Sequence, residues 1–127
     1  MSACDILFAP VNGAERRDVG GVQLEVANAG SARVKRVIYR PGFRWSTALK
    51  AIVGTDLCMH AHVGFLVSGR LGVRYADGST LDLVAPQVIA VTPGHDGWVV
   101  GDEPAVVIEV DFEAETARRF GMEEDRT

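Results

Sequence analysis

The chain has few of the features that would anchor it in a membrane or cross-link it covalently. No apolar run in its 127 residues approaches the roughly 18–20 residues needed to span a bilayer. The N-terminal segment has no basic stretch followed by an apolar run and a cleavage site, so no signal peptide is predicted. Two cysteines, 54 positions apart, make a poor disulfide framework. We therefore expect a cytoplasmic protein with free thiols and no membrane partner.

The charge distribution argues against a nucleic-acid partner. The formal net charge is −4, and residues 1–50 carry eight basic and four acidic side chains, whereas residues 51–127 carry five and thirteen. No basic cluster with interleaved aromatic residues is present, so the sequence disfavours nucleic-acid binding. In one domain whose halves pair with each other, this asymmetry favours ion pairs between strands or between subunits.

The sequence does contain many short apolar or alternating segments separated by turn residues. Its length fits a single domain, 1–127. Asp77-Gly78 is the strongest hairpin signal, and Ser68-Gly69 indicates a tight turn or bulge. Short strands at this spacing, without alternating helices, indicate an all-β sandwich or barrel. The predicted strands are residues 22–26, 33–40, 63–68, 71–75, 80–84, 88–91, 98–100 and 106–112.

The remaining segments show weaker periodicity. Residues 1–20 are interpreted as an irregular N-terminal arm with one short strand at 5–8. Residues 43–52 fit either a helical turn or an extended crossover. Residues 113–127 predict a short terminal helix ended by Gly121, followed by a frayed tail, because acidic side chains occupy the first turn.

One stretch, residues 58–101, holds most of the side chains that could carry chemistry. It contains all three histidines, His60, His62 and His95, together with Cys58. On one strand, Cys58, His60 and His62 would share a face because they are spaced two apart, while His95 arrives from another strand. Imidazole and thiolate donors that converge in this way suit a divalent transition metal.

The motifs of this stretch resemble those of the cupin superfamily, small jelly-roll β-barrels with a pocket in the barrel mouth. The more particular resemblance is to small cupin domains with Cys-x-x-x-His, Ser-Gly-Arg-Leu and Pro-Gly-His-Asp-x-Trp, found here at residues 58–62, 68–71 and 93–98. The resemblance implies a cupin-type jelly-roll barrel, here followed by the predicted short C-terminal helix, together with a homodimer and a small-molecule ligand. It implies no single reaction.

The cupin metal-ligand pattern fits the sequence in two registers. If His60 and His62 are the His-x-His pair, the usual glutamate position falls on Leu66, which cannot bind a metal. If the glycine of Ser-Gly-Arg-Leu is the fixed one, His62 takes the glutamate position, and Cys58 and Asp56 take the histidine positions. We prefer the second register because Ser-Gly-Arg-Leu is the better match. The nearby carboxylates that could complete the site are Asp56 and Glu109, and the sequence alone places neither of them well.

The preferred interpretation is a pocket that binds a small organic or anionic molecule. Its expected residues are Cys58, His60, His62, His95 and Trp98. A zinc, iron, nickel or manganese ion would be held by His60, His62 and His95, with Cys58 as a further candidate ligand. The alternative without a site is two histidines hydrogen-bonded at the barrel rim and a cysteine acting as a small buried apolar residue.

Two further functions stay open on the sequence alone. A metal-dependent enzyme of isomerase or dioxygenase type would use His62 and His95 with one of His60 or Cys58. A pure interaction module would leave the pocket unused. The preferred register predicts that His62→Ala disturbs ligand or metal binding more than His60→Ala does.

Overall fold

The computed structural model describes residues 9–111 of the chain. This part contains nine strands and two one-turn helices. In chain order they are β1 (Glu15–Val19), β2 (Val22–Ala29), β3 (Ala32–Tyr39), α1 (Trp45–Ala48), α2 (Lys50–Val53), β4 (His62–Ser68), β5 (Arg70–Tyr75), β6 (Thr80–Val84), β7 (Gln87–Val91), β8 (His95–Val99) and β9 (Ala105–Asp111). Each of the eight predicted strands overlaps an observed one, which confirms the all-β class.

The strands form two antiparallel sheets that enclose an apolar interior. The larger sheet has the order β1-β2-β3-β9-β4-β7, and the smaller has the order β6-β5-β8. Leu66 and Val107 of the larger sheet pack with Val73, Leu83 and Val99 of the smaller one. Full burial of each such side chain stabilises the fold by roughly 1.5–3 kcal/mol. The last strand, β9, lies between β3 and β4, so the first and last strands of the described residues belong to the same sheet.

The two short helices follow β3, and the first packs against the larger sheet. Trp45 and Leu49 pack against Val22, Leu24 and Val37 of β2 and β3 in a second apolar cluster. A single helical turn is not stable by itself in water, so burial of Trp45 and Leu49 and the hydrogen bonds that Ser46 donates to Asp96 stabilise this segment. Of the two alternatives left open for residues 43–52, the helical one is therefore observed.

The hairpin between β5 and β6 has the turn chemistry that the sequence predicts. Asp77 Oδ1 accepts hydrogen bonds from the Ser79 backbone N–H at 2.9 Å and from the Ser79 hydroxyl at 2.6 Å. Gly78 has a φ of 90°, a conformation that favours glycine. Gly69, with a φ of 86°, makes the predicted tight turn between β4 and β5.

The N-terminal arm differs from its prediction. Residues 15–19 form β1, which pairs with β2 along its whole length at the edge of the larger sheet. Its sequence, ERRDV, has no apolar alternation because four of its five side chains are exposed. The strand expected at 5–8 and the helix expected at 113–120 lie outside the described residues. Within residues 9–111, no helix has the length and apolar character required to cross a membrane.

Candidate functional site

Separate segments of the chain bring five ionisable side chains together inside the barrel. Cys58 and His60 lie on the loop after α2, His62 begins β4, His95 begins β8, and Glu109 belongs to β9. His62 is partly buried and the other four are buried. The Cys58 backbone N–H donates to the His95 carbonyl oxygen at 2.7 Å, and the His95 N–H donates back at 3.2 Å. The loop that carries the thiol is therefore fixed to the strand that carries an imidazole.

Cys58, His62 and His95 form a first group, which we call the thiol cluster. One donor atom from each of the three lies within 4.8 Å of the other two. The Cys58 sulfur is 3.9 Å from His62 Nε2, and the ring centroids of His62 and His95 are 5.1 Å apart. A thiolate and two imidazoles at this spacing are able to hold a transition metal.

Each imidazole of the thiol cluster has one nitrogen bound to a hydrogen-bond acceptor. His62 Nδ1 is 2.8 Å from Glu109 Oε2, and His95 Nδ1 is 2.7 Å from the Thr92 carbonyl oxygen. A carboxylate and a carbonyl only accept, so both Nδ1 atoms carry a hydrogen and donate it. In the neutral ring this leaves Nε2 with the free lone pair. Metal-binding histidines usually donate their other N–H to such a carboxylate or carbonyl.

His60, His62 and Glu109 form a second group, which we call the carboxylate cluster. It lies on the Nδ1 side of the His62 ring, whereas Cys58 lies on the Nε2 side. His60 Nε2 is 3.0 Å from Glu109 Oε1. Lys35 Nζ is 3.0 Å from the same His60 nitrogen and 3.7 Å from the same Glu109 oxygen. It is also 3.0 Å from Asp111 Oδ2. An ammonium group therefore stands among the donors of this second cluster.

Glu109 and His62 are a buried ion pair. Burial raises the pKa of the Glu109 carboxyl, but the His62 charge, the hydrogen bonds from both histidines and the Lys35 charge hold it well below its usual range. Burial lowers the pKa of His62, but the Glu109 charge and the hydrogen bonds with Cys58 and Glu109 raise it to about 10. At neutral pH the pair is thus a carboxylate and an imidazolium. A metal ion that binds Nε2 must release its proton.

Cys58 and His60 also have shifted pKa values. Burial raises the pKa of the Cys58 thiol, but the hydrogen bonds and charges of His62 and His95 outweigh it and bring the pKa to about 6. The sulfur is therefore mostly a thiolate at neutral pH, which is the form that binds metals. Burial lowers the pKa of His60 to about 4, so this imidazole is neutral.

Two cavities, each with about 70 Å³ of free volume, meet at the His62 side chain. The thiol cavity has the thiol cluster at one end and is otherwise lined mainly by apolar side chains. The lysine cavity is lined by Lys35, His60 and Arg17 and by apolar residues of β2 and β3. The side chains that line both cavities, and so form the wall between them, are Tyr39, Leu49, His62 and Glu109.

The cavity volume limits the size of a ligand. A buried water needs roughly 10–15 Å³ of such volume, so each cavity has room for about five waters. Pockets for drug-sized molecules measure roughly 300–1,000 Å³. A ligand that enters either cavity without moving its walls is therefore a small molecule.

The structure places all five residues expected to shape the pocket inside the barrel. Cys58, His62, His95 and Trp98 line the thiol cavity, whereas His60 lines the lysine cavity. The expected metal set of three histidines is thus divided between the two clusters, and His62 is common to both. Cys58, the further candidate ligand, stands with His62 and His95 in place of His60.

Of the three residues that the preferred register puts at ligand positions, Cys58 and His62 lie in the thiol cluster. Asp56 lies outside both clusters, so its assignment is wrong. The Asp56 side chain is 98% exposed and lies 3.8 Å from Lys50 at the surface, so it takes no part in either cluster. Leu66, which stood at the glutamate position of the other register, is fully buried in the core.

Sequence reasoning leaves Glu109 unplaced and does not identify Lys35. The two residues are direct partners across β3 and β9, and both side chains point into the barrel. A usable signal exists, because Glu109 stands alone between apolar residues in the sequence VVIEV. A single charged residue within an otherwise apolar strand is unusual, so it is a candidate for a buried, paired position.

Solved structures of cupin proteins have the same fold as this chain. A Cupin 2 conserved barrel domain protein from Salinispora arenicola is 16% identical, with a TM-score of 0.58 and 88% of this chain and 92% of that one covered. An RmlC-like cupin from Shewanella frigidimarina is 19% identical, with a TM-score of 0.55 and coverages of 85% and 92%. Pac13 of Streptomyces, described as a nucleoside dehydratase, is 22% identical, with a TM-score of 0.50 and coverages of 84% and 83%. At these identities the likeness concerns the fold alone, and it confirms the predicted all-β cupin fold.

No family model matches the sequence, and no curated protein matches it. The particular group of small cupin domains indicated by the motifs therefore stays a prediction.

Proposed function

We propose that this cupin barrel binds a small molecule at a divalent transition metal held by Cys58, His62 and His95. The observation that supports it is that both histidines donate Nδ1–H to fixed acceptors and leave Nε2 for the ion. One thiolate and two imidazoles suit zinc, iron or nickel better than manganese, which prefers oxygen ligands. When bound, such an ion supplies Lewis-acid chemistry at an oxygen or nitrogen of the ligand.

The lining of the thiol cavity favours a ligand with one polar end. The donors of the thiol cluster stand together, and most of the remaining surface is apolar. The Trp98 indole forms part of that surface and is held from outside by Arg44, whose guanidinium carbon is 4.6 Å from the ring centroid. A small organic anion or neutral molecule would place its polar group at the cluster and its apolar part against the smaller sheet.

Metal analysis of protein purified without an affinity tag tests this proposal. We expect one equivalent per chain in the wild type and a loss in Cys58→Ser and His62→Ala. The matched control is His60→Ala, which removes a buried imidazole of the other cluster. Cobalt(II) loading gives a second measurement, because thiolate ligation adds a charge-transfer band that Cys58→Ser abolishes. A wild type that takes up no metal, or an equal loss in His60→Ala, would contradict the proposal.

A metal-dependent enzyme is the second candidate, favoured by the series Glu109, His62 and Cys58. Their successive contacts of 2.8 and 3.9 Å place the His62 ring between a carboxylate and a thiolate, so that Glu109 would strengthen a metal-bound His62 as a ligand while the ion acts on the substrate. The similar fold of Pac13, described as a nucleoside dehydratase, is consistent with enzymatic use of such a barrel. Incubation of metal-loaded protein with each small molecule that binds distinguishes the candidates. Unchanged recovery supports binding alone, and turnover that is lost in Glu109→Gln supports the enzyme.

A further inference from the structure

The two clusters share His62, but besides their different donors they differ in whether a cationic side chain lies among those donors. Within residues 9–111, the side chains that line the thiol cavity include neither lysine nor arginine. The carboxylate cluster instead contains the ammonium group of Lys35, whose side chain is 3% exposed. Lys35 Nζ contacts His60 Nε2 at 3.0 Å and Glu109 Oε1 at 3.7 Å, two of the atoms that this cluster could offer to a metal ion.

We infer that Lys35 occupies the cation position of the carboxylate cluster, so that the two clusters of the described residues together hold one metal ion and not two. A divalent ion bound to His60 Nε2 would lie within a few ångströms of a positive charge that the barrel wall keeps in place. Repulsion at that distance in a partly buried site weakens binding by at least about 100-fold. Removal of the ammonium would turn His60, His62 and Glu109 into a second metal site. His62 would bind there through Nδ1 after releasing its proton, and with both sites filled its ring would bridge the two ions as an imidazolate.

The contact between Lys35 and Glu109 also indicates how Glu109 supports the thiol cluster. Because Lys35 and His60 face Oε1, the carboxylate is held in place and its other oxygen, Oε2, accepts from His62 Nδ1. Lys35 is therefore a positioning residue: it keeps Glu109 as a hydrogen-bond acceptor for His62 and prevents it from binding an ion directly. The inference for the wild type rests on the proposed function, whereas the site that appears on removal of Lys35 does not.

Cobalt(II) titration of Lys35 variants tests the inference, because the two clusters have different spectra. Cobalt at the thiol cluster shows a thiolate charge-transfer band, and cobalt at the carboxylate cluster shows only ligand-field bands. We expect one equivalent with the thiolate band in the wild type and in the charge-conserving Lys35→Arg. Lys35→Ala should bind a second equivalent without that band, and the added His60→Ala should abolish it. Lys35→Gln, which keeps a polar group in the space, serves if Lys35→Ala does not fold.

A Cys58→Ser background separates this inference from the proposed function. There only the carboxylate cluster has its donors intact, so Cys58→Ser should bind cobalt at least about 100-fold more weakly than Cys58→Ser/Lys35→Ala. Absence of the thiolate band in the wild type would contradict the proposed function but leave this comparison valid. Two results would overturn the inference: equal cobalt affinity with and without Lys35, or folded Lys35→Ala and Lys35→Gln proteins that gain no ion.

Discussion

His62 is the residue on which both clusters depend, because each of its nitrogens faces a different one. Nε2 faces the Cys58 sulfur, and Nδ1 donates to Glu109. Glu109 thereby fixes both the orientation of the ring and the nitrogen that is left for a metal. Acceptors in this position typically raise metal affinity by about 10–100-fold.

The first prediction concerns Glu109→Gln, which keeps the size of the side chain and removes its charge. We expect the zinc affinity to fall by about 10-fold or more, because an amide oxygen accepts from His62 more weakly than a carboxylate does. Competition with a chromophoric chelator measures the change, and a thermal melt verifies that the variant is folded. Asp82→Asn, at an exposed carboxylate, is the control. An unchanged affinity in folded Glu109→Gln would show that the carboxylate does not support the site.

The second prediction concerns the pH dependence of stability through Asp111. Its carboxylate lies 3.0 Å from both Arg33 Nε and Lys35 Nζ. Burial raises the pKa of Asp111, but the Arg33 hydrogen bond and the Lys35 charge outweigh it and leave the folded pKa below the ordinary value. Stability from a lowered carboxyl pKa is complete above the unfolded pKa of about 4 and is lost as the pH falls through the folded pKa.

Asp111→Asn should therefore lower the free energy of unfolding by about 1–2 kcal/mol at pH 7, with the difference vanishing in acid. Urea unfolding over a series of pH values measures both curves. Asp82→Asn, at the exposed pair with Arg70, should change the stability little. A difference between wild type and Asp111→Asn that stays constant down to acid pH would rule out the titration of Asp111 as its cause.

At the residue scale, the sequence predicts those site residues that lie within short contiguous motifs. Cys58 and His62 lie four apart on one segment, and His95 follows the Pro-Gly turn that begins its strand. Lys35 and Glu109 could not be assigned because they meet only through the pairing of β3 with β9, which joins residues 74 positions apart. Strand order between distant segments is not encoded in local periodicity.

At the scale of elements, the pairing of β4 with β9 positions the Glu109 carboxylate. Gly64 of β4 stands opposite Glu109 of β9. A Cβ atom at Gly64 would overlap the Ile108 carbonyl oxygen and approach the Glu109 Cα within 2.9 Å. The two strands come this close only because the position is glycine.

The third prediction follows from this close approach. Gly64→Ala should lower the free energy of unfolding by about 1–3 kcal/mol, because the strands must move apart to admit the methyl group. Gly97→Ala is the matched control, since its Cβ would make only an ordinary contact of 3.6 Å with the Gly72 carbonyl oxygen. Chemical unfolding of both variants measures the difference. Equal stabilities would indicate that β4 and β9 accommodate a side chain at position 64.

Elements that contain turn residues or an alternation of apolar and polar side chains were predictable from the sequence, whereas elements that lack both were not. The Asp77-Gly78 hairpin and the flanking strands follow from local rules. Strand β1 lacks any apolar alternation because it is an exposed edge strand, held by its backbone pairing with β2. The segment 43–52 became helical through burial of Trp45, which local propensity does not report.

At the scale of the whole molecule, the outer face of the larger sheet presents an apolar patch on β4, β7 and β9. Its members are Val63, Phe65, Val88 and Val110, of which Phe65 is 55% and Val88 71% exposed. Phe65 is the direct partner of Val88 across β4 and β7. An uncharged patch is complementary to itself without any matching of charges, which is what a two-fold symmetric interface requires. We therefore propose that a second copy of the chain covers it, in the homodimer that the sequence resemblance implies.

The fourth prediction is that Phe65→Lys converts a dimer into a monomer. A charge at the centre of an apolar interface costs more than the contact gains, so the mass in solution should halve. Ile52→Lys, at an exposed apolar residue of α2, is the control and should remain dimeric. Light scattering coupled to size exclusion measures both. A monomeric wild type at the concentration of the experiment would contradict the proposed dimer.

The exchange of backbone hydrogen bonds between Cys58 and His95 has a consequence for selectivity. The backbones that carry the sulfur and the imidazole are set at their mutual distance when the barrel forms. The proposed site would therefore offer an ion a largely preset arrangement of donors. Among the ions that thiolate and imidazole ligands suit, discrimination would then come from coordination geometry.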